Sequence, residues 1–139
     1  MRIGKAQPMS PAHLKRVMHV DDEDDIREVT NLALDSIGNY TVCSCRSGAD
    51  ALATLFGFSP EIILLDVMMP VMSGPDVLRA LRKIPRAADI PVVFMTARVQ
   101  SRDIEALKAL GAIDVIQKPF DPLALSDQVA KIWARHVRS

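Results

Sequence analysis

Four large apolar residues followed by a carboxylate, Ile62-Ile63-Leu64-Leu65-Asp66, stand near the middle of this sequence. The apolar run has the length of a β-strand buried on both faces, and such strands are typical of parallel sheets. Similar short runs lie on either side of it, at Val17–Val20, Tyr40–Cys45, Val92–Met95 and Ile113–Ile116. The pattern predicts five strands, which begin about 20 to 30 residues apart.

The segments between these runs have apolar residues at helical spacing and residues that favour helix ends. The first segment ends at Gly38 and the fourth ends at Gly111, since glycine favours helix C-termini. The second and third segments begin with capping-box patterns at Ser47 and Ser73, and the fifth begins at Asp121-Pro122. Their predicted buried stripes are Ile26, Val29, Ala33 and Ile37; Leu52, Leu55 and Phe56; Val77, Leu78 and Leu81; Ile104, Leu107 and Leu110; and Leu125, Val129 and Ile132. Alternating strands and helices predict an α/β fold, a doubly wound parallel sheet with helices on both faces.

Composition limits the class of protein further. The chain has 139 residues, 49% of them hydrophobic, which suits one domain with a substantial core. Seventeen basic and seventeen acidic residues give zero formal net charge, which argues against direct nucleic-acid binding or attraction to an anionic membrane. No apolar run approaches the roughly 20 residues of a membrane span, and Cys43 and Cys45 suit core packing in a reducing cytoplasm. We expect residues 1–14 to form a flexible leader and residues 15–139 to form the domain.

The ends of the predicted strands carry the candidate chemistry. Asp21 and Asp22 follow the first strand, Asp66 follows the third, Thr96 the fourth and Lys118 the fifth. Ligands of doubly wound sheets bind at this edge. Clustered carboxylates repel one another by about 4 kcal/mol per pair at 4 Å and an effective dielectric near 20. A hard divalent cation such as Mg²⁺ relieves that repulsion, which leaves the central Asp66 as the predicted nucleophile for phosphoryl transfer.

These residues resemble a known family. Asp21-Asp22-Glu23, Asp66 with Met69-Pro70 and Gly74 behind it, Thr96-Ala97 and Lys118-Pro119-Phe120 are similar to the motifs of response regulator receiver domains of two-component signalling, here of the stand-alone chemotaxis type. The resemblance extends over roughly residues 14 to 137. It implies a flavodoxin-like (βα)5 sandwich with five parallel strands in the order 2-1-3-4-5.

The resemblance also implies residue roles. Asp66 would be the phosphoacceptor for a sensor histidine kinase or a histidine phosphotransfer protein. Asp22, Asp66 and the Met68 backbone carbonyl would bind Mg²⁺ directly, and Asp21 would act through water. Lys118, before a cis peptide bond to Pro119, and Thr96 would contact the phosphoryl group. We expect a cytoplasmic signalling phosphoacceptor that catalyses only its own phosphorylation and dephosphorylation, is a monomer or weak dimer, and changes its binding to an unknown protein partner.

Position 115 departs from the family's pattern, and two further positions bear on the lifetime of the phosphoryl group. Val115 stands where an aromatic residue usually turns inward as Thr96 moves, and Met68 and Arg98 flank the approach of the water that removes the phosphoryl group. Neither Met68 nor Arg98 can act as a base toward that water. We therefore expect a switch that depends on Thr96 more than on position 115, and slow loss of the phosphoryl group.

Two alternatives belong to other functional classes. A Mg²⁺-dependent phosphatase of the haloacid dehalogenase type requires a second Asp two residues after the nucleophile, where this chain has Met68. An FMN-binding flavodoxin shares the fold, but an acidic cluster is unsuited to an anionic phosphate.

Overall fold

A computed structural model of the chain describes residues 13–138, in which five parallel strands form one sheet. The strands are β1 (Arg16–Val20), β2 (Thr41–Cys45), β3 (Ile62–Asp66), β4 (Val92–Thr96) and β5 (Asp114–Gln117). Their order in the sheet is β2-β1-β3-β4-β5. The predicted α/β fold, with its flavodoxin-like strand order, is confirmed.

In the described part of the chain, five α-helices cover the two faces of the sheet. They are α1 (Asp24–Asn31), α2 (Gly48–Phe58), α3 (Gly74–Arg82), α4 (Ser101–Ala109) and α5 (Leu125–Arg138). Helix α5 begins later than Asp121-Pro122 because residues 122–124 form a turn, in which the Asp121 carboxylate accepts a hydrogen bond from the Leu123 N–H at 2.9 Å. None of the described helices combines the length and the apolar character needed to cross a bilayer.

The helix after β1 changes its geometry at its C-terminal end. A π-helical segment, Leu32–Ile37, continues α1, and the Gly38 N–H donates to the carbonyl of Ala33 five residues earlier. The predicted stripe is wrong at Ile37, which lies in this segment and is 47% exposed, and also at Val29, which precedes the segment and is 38% exposed. The buried residues of this region are Thr30, Ala33 and Leu34. A stripe drawn at 3.6 residues per turn cannot represent a wider turn of this kind.

Two hydrophobic clusters hold the helices against the sheet. One lies beneath α2 and α3 and contains Met18, Val20, Leu65 and Phe94; the other lies beneath the π-helical segment and α5 and contains Val17, Leu34, Leu64, Met95 and Val129. Alternate residues of the strands therefore serve opposite faces. Leu14 is buried in the second cluster, whereas residues 1–12 of the predicted leader lie outside the described residues.

The remaining predicted stripes differ in how deeply they are buried. Val77, Leu78 and Leu81 of α3 are fully buried, but Phe56 of α2 is 41% exposed, with the Arg86 guanidinium 4.4 Å from its ring centroid. Helix α4 has no buried residue: Ile104 and Leu107 are half-buried, and Leu110, just beyond the helix, is exposed. The apolar spacing predicted the helix correctly but overestimated its burial.

Candidate phosphoacceptor site

The carboxyl ends of the strands converge on one cavity of about 350 Å³. Asp21 directly follows β1, Asp66 ends β3, Thr96 ends β4 and Lys118 directly follows β5. The cavity is lined by Asp22, Glu23, Asp66, Met68, Thr96, Ala97 and Lys118. The structure thus brings together side chains as far apart in sequence as Asp21 and Lys118, which share a hydrogen bond across 97 positions.

Three carboxylates form the acidic part of the site. One oxygen from each of Asp21, Asp22 and Asp66 lies within 4.8 Å of the others. Asp21 and Asp66 are buried, whereas Asp22 is exposed beside them. An all-oxygen donor set with one open, solvated side fits a hard cation that retains water ligands, such as Mg²⁺.

Lys118 supplies the positive charge nearest to these acids. Its Nζ donates to Asp21 Oδ2 at 3.0 Å and to Asp66 Oδ1 at 3.1 Å. Burial acts to lower the pKa of Lys118, but the hydrogen bonds and charges of Asp21 and Asp66 outweigh it, and the pKa is raised. Lys118 is therefore an ammonium at neutral pH and bridges the two buried carboxylates. Its peptide bond to Pro119 is cis, as the resemblance implied.

The charge balance at Asp66 differs from that at Lys118. Burial, followed by the charge of Asp21, raises the pKa of Asp66, and the opposing contributions come from Lys118 and the Met68 N–H. Since raising the pKa of an acid means that its ionised form is disfavoured in the folded state, one more positive charge at this site is stabilising. The electrostatics agree with the donor set in favouring a bound cation.

Both carboxylate oxygens of Asp21 already have partners in the protein. Oδ1 accepts from the Glu23 N–H at 2.9 Å, and Oδ2 accepts from Lys118. The Arg27 guanidinium donates to the backbone carbonyl of Asp21 at 2.8 Å and also pairs with Asp24. We did not predict the contribution of Arg27, because nothing in its spacing from Asp21 indicates a contact with a strand-end carbonyl.

The loop after β3 approaches Asp66 closely. The Gly74 N–H donates to the Val67 carbonyl at 2.9 Å, and a Cβ atom on Gly74 would lie 2.4 Å from the Asp66 backbone oxygen. Ser73 and Asp76 form the predicted capping box at the start of α3. The Met68 side chain, in contrast, is 79% exposed at the mouth of the cavity.

The two remaining positions of the predicted switch lie on β4 and β5. Thr96 is buried, and its hydroxyl accepts a hydrogen bond from the Arg98 N–H at 3.1 Å, which links it to the loop before α4. Val115 is half-buried against the first cluster. The Thr96 hydroxyl therefore has a direct connection to the loop, whereas the Val115 side chain packs against apolar residues.

His19 is a buried polar residue close to the acidic cluster. It lies on β1 two positions before Asp21, and neither ring nitrogen has a hydrogen-bond partner among the described residues. Burial is the main reason that the pKa of His19 falls to about 4, against the opposing charge of Asp21. The ring is therefore neutral at physiological pH.

Comparison with known proteins identifies the family. The model of the response regulator receiver domain matches residues 17–130. A probable transcriptional regulator, ycf27 of Cyanidium caldarium, is 36% identical over 97% of this chain and 51% of its own length. The transcriptional regulatory protein CseB of Streptomyces coelicolor is 34% identical over 86% of this chain and 49% of its own length. The chain thus spans about half the length of these relatives.

A solved structure of a chemotaxis protein has the same fold as this chain over nearly all of its own length. The chemotaxis response regulator CheY4 of Vibrio cholerae has a TM-score of 0.79 and 28% identity over 86% of this chain and 99% of its own. This chain belongs to the response regulator receiver domain family. Members of the family are phosphoacceptors of two-component signalling that interact with histidine kinases, and they are not classical enzymes.

Proposed function

We propose that Asp66 accepts a phosphoryl group from a phosphohistidine of a sensor histidine kinase or a histidine phosphotransfer protein, in a Mg²⁺-dependent reaction. The observation that carries the proposal is the buried Asp66 carboxylate at the end of β3, with Lys118 Nζ at 3.1 Å and two further acids within 4.8 Å. Phosphorylation then changes the affinity of the domain for a protein partner.

The metal ligands in this proposal are Asp22, Asp66 and the backbone carbonyl of Met68, with Asp21 acting through water. The open side of the cluster at Asp22 supports direct contact there, and the two occupied oxygens of Asp21 support an indirect role. When bound, Mg²⁺ supplies charge that offsets the carboxylates and the phosphoryl oxygens.

The side chains of this chain perform the transfer itself. An oxygen of Asp66 forms the bond to phosphorus while the phosphorus–nitrogen bond of the phosphohistidine breaks, and the electron pair stays on the histidine nitrogen. Lys118 stabilises the phosphoryl oxygens because its ammonium already lies against Asp66. Thr96 exchanges its hydrogen bond from the Arg98 N–H for one to a phosphoryl oxygen, and residues 97–99 move with it.

The output in this proposal is protein binding. The formal net charge of zero provides no excess of basic residues for nucleic acid, although the named relatives are transcriptional regulators. No observation favours a phosphatase of the haloacid dehalogenase type, since the Met68 side chain cannot deliver a proton to a leaving group.

Acetyl phosphate provides a direct test. We expect the intact mass to increase by one phosphoryl group when the protein is incubated with acetyl phosphate and Mg²⁺, and to stay unchanged in Asp66→Asn or with chelator. Asp76→Asn, which removes an exposed acid at the start of α3, is the matched control and keeps the adduct. An adduct that persists in Asp66→Asn, or continuous hydrolysis of acetyl phosphate without an adduct, contradicts the proposal.

A further inference from the structure

Two free thiols lie side by side at the edge of the sheet. Cys43 and Cys45 lie on the same face of β2, with their Sγ atoms 3.9 Å apart. Cys45 is buried in the first hydrophobic cluster, and Cys43 is half-buried at the margin of that cluster. This arrangement places a dithiol where a small oxidant reaches one sulfur and the second sulfur lies in van der Waals contact.

We propose that Cys43 and Cys45 form a reversible disulfide on exposure to a peroxide, and that this disulfide slows phosphorylation of Asp66. The first half of the proposal depends only on the two thiols. The second half rests on the proposed function of Asp66.

The geometry permits the bond with some strain. Residues two apart on a strand have Cα atoms roughly 6.6 Å apart, which is near the upper limit for disulfides. Closing the bond requires the sulfur atoms to approach from 3.9 Å to about 2.05 Å. Within residues 13–138, strand β2 pairs with β1 alone, so its other edge leaves room for the strand to bend. A strained disulfide of this kind is easily reduced, which makes the modification reversible.

The order of the chemical steps follows from exposure. Cys43 is half-buried whereas Cys45 is buried, so the peroxide reaches Cys43 first and Cys43 supplies the reacting thiolate. The Cys43 thiolate attacks the peroxide, the oxygen–oxygen bond breaks, and a sulfenic acid and water result. Cys45 sulfur then attacks Cys43 sulfur, and the hydroxyl leaves as water with the Cys45 proton. Overall, two thiols are oxidised and one peroxide is reduced to two waters.

A backbone hydrogen bond connects the dithiol to the phosphoacceptor site. The carbonyl of Cys45 accepts from the Asp21 N–H at 3.0 Å, at the last register position of the β1–β2 pair. The Asp21 carboxylate in turn holds Lys118, which also binds Asp66. Contraction of β2 between Cys43 and Cys45 displaces this carbonyl and, with it, the acid that positions Lys118.

Peptide mapping after treatment with hydrogen peroxide tests the first half. Trypsin leaves both cysteines on one peptide, residues 28–46, because Arg27 and Arg46 are its cleavage sites. We expect this peptide to become two hydrogen masses lighter and resistant to alkylation, and to revert with dithiothreitol. Cys43→Ser and Cys45→Ala each abolish the change. A peptide that remains alkylatable, or that gains only oxygen, overturns the proposal.

Phosphorylation by acetyl phosphate tests the second half in the same samples. We expect about tenfold slower adduct formation in the oxidised wild-type protein, recovery with dithiothreitol, and no effect of peroxide on the rate in Cys43→Ser. Equal rates in the oxidised and reduced wild-type protein overturn the coupling. Failure of the reduced protein to form an adduct contradicts the proposed function instead, so the two failures are distinguishable.

Discussion

Replacing Asp66 with Asn is expected to stabilise the protein when metal is absent. At 4.8 Å and an effective dielectric of about 20, each neighbouring carboxylate repels Asp66 by about 3.5 kcal/mol. Two such neighbours repel Asp66 by roughly 7 kcal/mol in total, and the attraction of Lys118 at 3.1 Å offsets about 5 kcal/mol of this. The exposure of Asp22 weakens the repulsion that it contributes, whereas the burial of Asp66 adds a desolvation cost to its ionised form. We expect Asp66→Asn to raise the free energy of unfolding by about 2 kcal/mol at pH 7, since Asn retains an oxygen that can accept from Lys118.

The pH dependence gives the same prediction a second test. Because the pKa of Asp66 is raised in the folded state, its stabilising contribution is full below the ordinary value of 3.8 and is lost as the pH rises through the raised value. The advantage of Asp66→Asn therefore shrinks as the buffer is acidified. Urea denaturation of both proteins, in chelator and across this pH range, measures the difference.

Adding Mg²⁺ is expected to reverse the ranking of the two proteins. A ligand at 100 times its Kd stabilises the folded state by about 2.7 kcal/mol, and Asp66→Asn lacks one of the carboxylates that would bind it. Asp35→Asn removes an exposed acid of the π-helical segment and serves as the control, with the same response to Mg²⁺ as the wild-type protein. A lower stability of Asp66→Asn than of the wild-type protein in chelator, or equal stabilisation of both proteins by Mg²⁺, would contradict this prediction.

Three further predictions concern the switch, the lifetime of the phosphoryl group and the buried histidine. Thr96→Ala is expected to remove most of the coupling free energy between phosphorylation and partner affinity, which is typically about 1–3 kcal/mol, and Val115→Ala is expected to remove little of it. Calorimetry with the partner measures this coupling, and equal losses in both variants would show that position 115 takes part in the switch. Met68→Asn and Arg98→Glu are each expected to speed the loss of phosphate from Asp66 about tenfold, because each adds a hydrogen-bond acceptor near the attacking water. If the phosphorylated wild-type protein loses phosphate as fast as the two variants, this prediction is wrong. The folded pKa of His19, about 4, lies below its ordinary 6.5, so its contribution to stability is present above pH 6.5 and is lost as the pH falls towards 4. Over that range we expect the metal-free protein to lose about 3 kcal/mol that His19→Leu does not lose, as measured by urea denaturation; parallel profiles would exclude His19 as the cause.

The elements that a single sequence predicted well are those whose pattern depends on local spacing. The apolar run before Asp66 predicted a buried strand. The convergence of the polar residues at the strand ends then followed from the rule that parallel strands present their carboxyl ends at one edge of the sheet. The central place of Asp66 among the strand-end acids predicted it as the nucleophile, the role of Lys118 came from the family resemblance, and the structure adds their separation of 3.1 Å.

The features that the sequence did not predict depend on tertiary contacts or on a change in helix geometry. In the π-helical segment, Leu34 is buried in the core and Ile37 is exposed, the reverse of the prediction for Ile37. No residue preference in Leu32–Ile37 indicates the wider turn. The contact of Arg27 with the Asp21 carbonyl depends on where α1 sits against the end of β1. The exposure of α4 depends on how closely the neighbouring elements pack against it, which the spacing of its apolar residues does not indicate.

The shallow packing of α4 has a consequence for signalling. A helix without a fully buried side chain loses little apolar contact when it shifts or frays, so the alternative positions of Ser101–Ala109 lie close in free energy. We expect such a helix to populate several conformations before phosphorylation, and a bias of about one or two kcal/mol at Thr96 would shift their occupancies. Amide hydrogen exchange would be fastest in α4 among the five helices, and partner proteins that contact it would select among existing conformers.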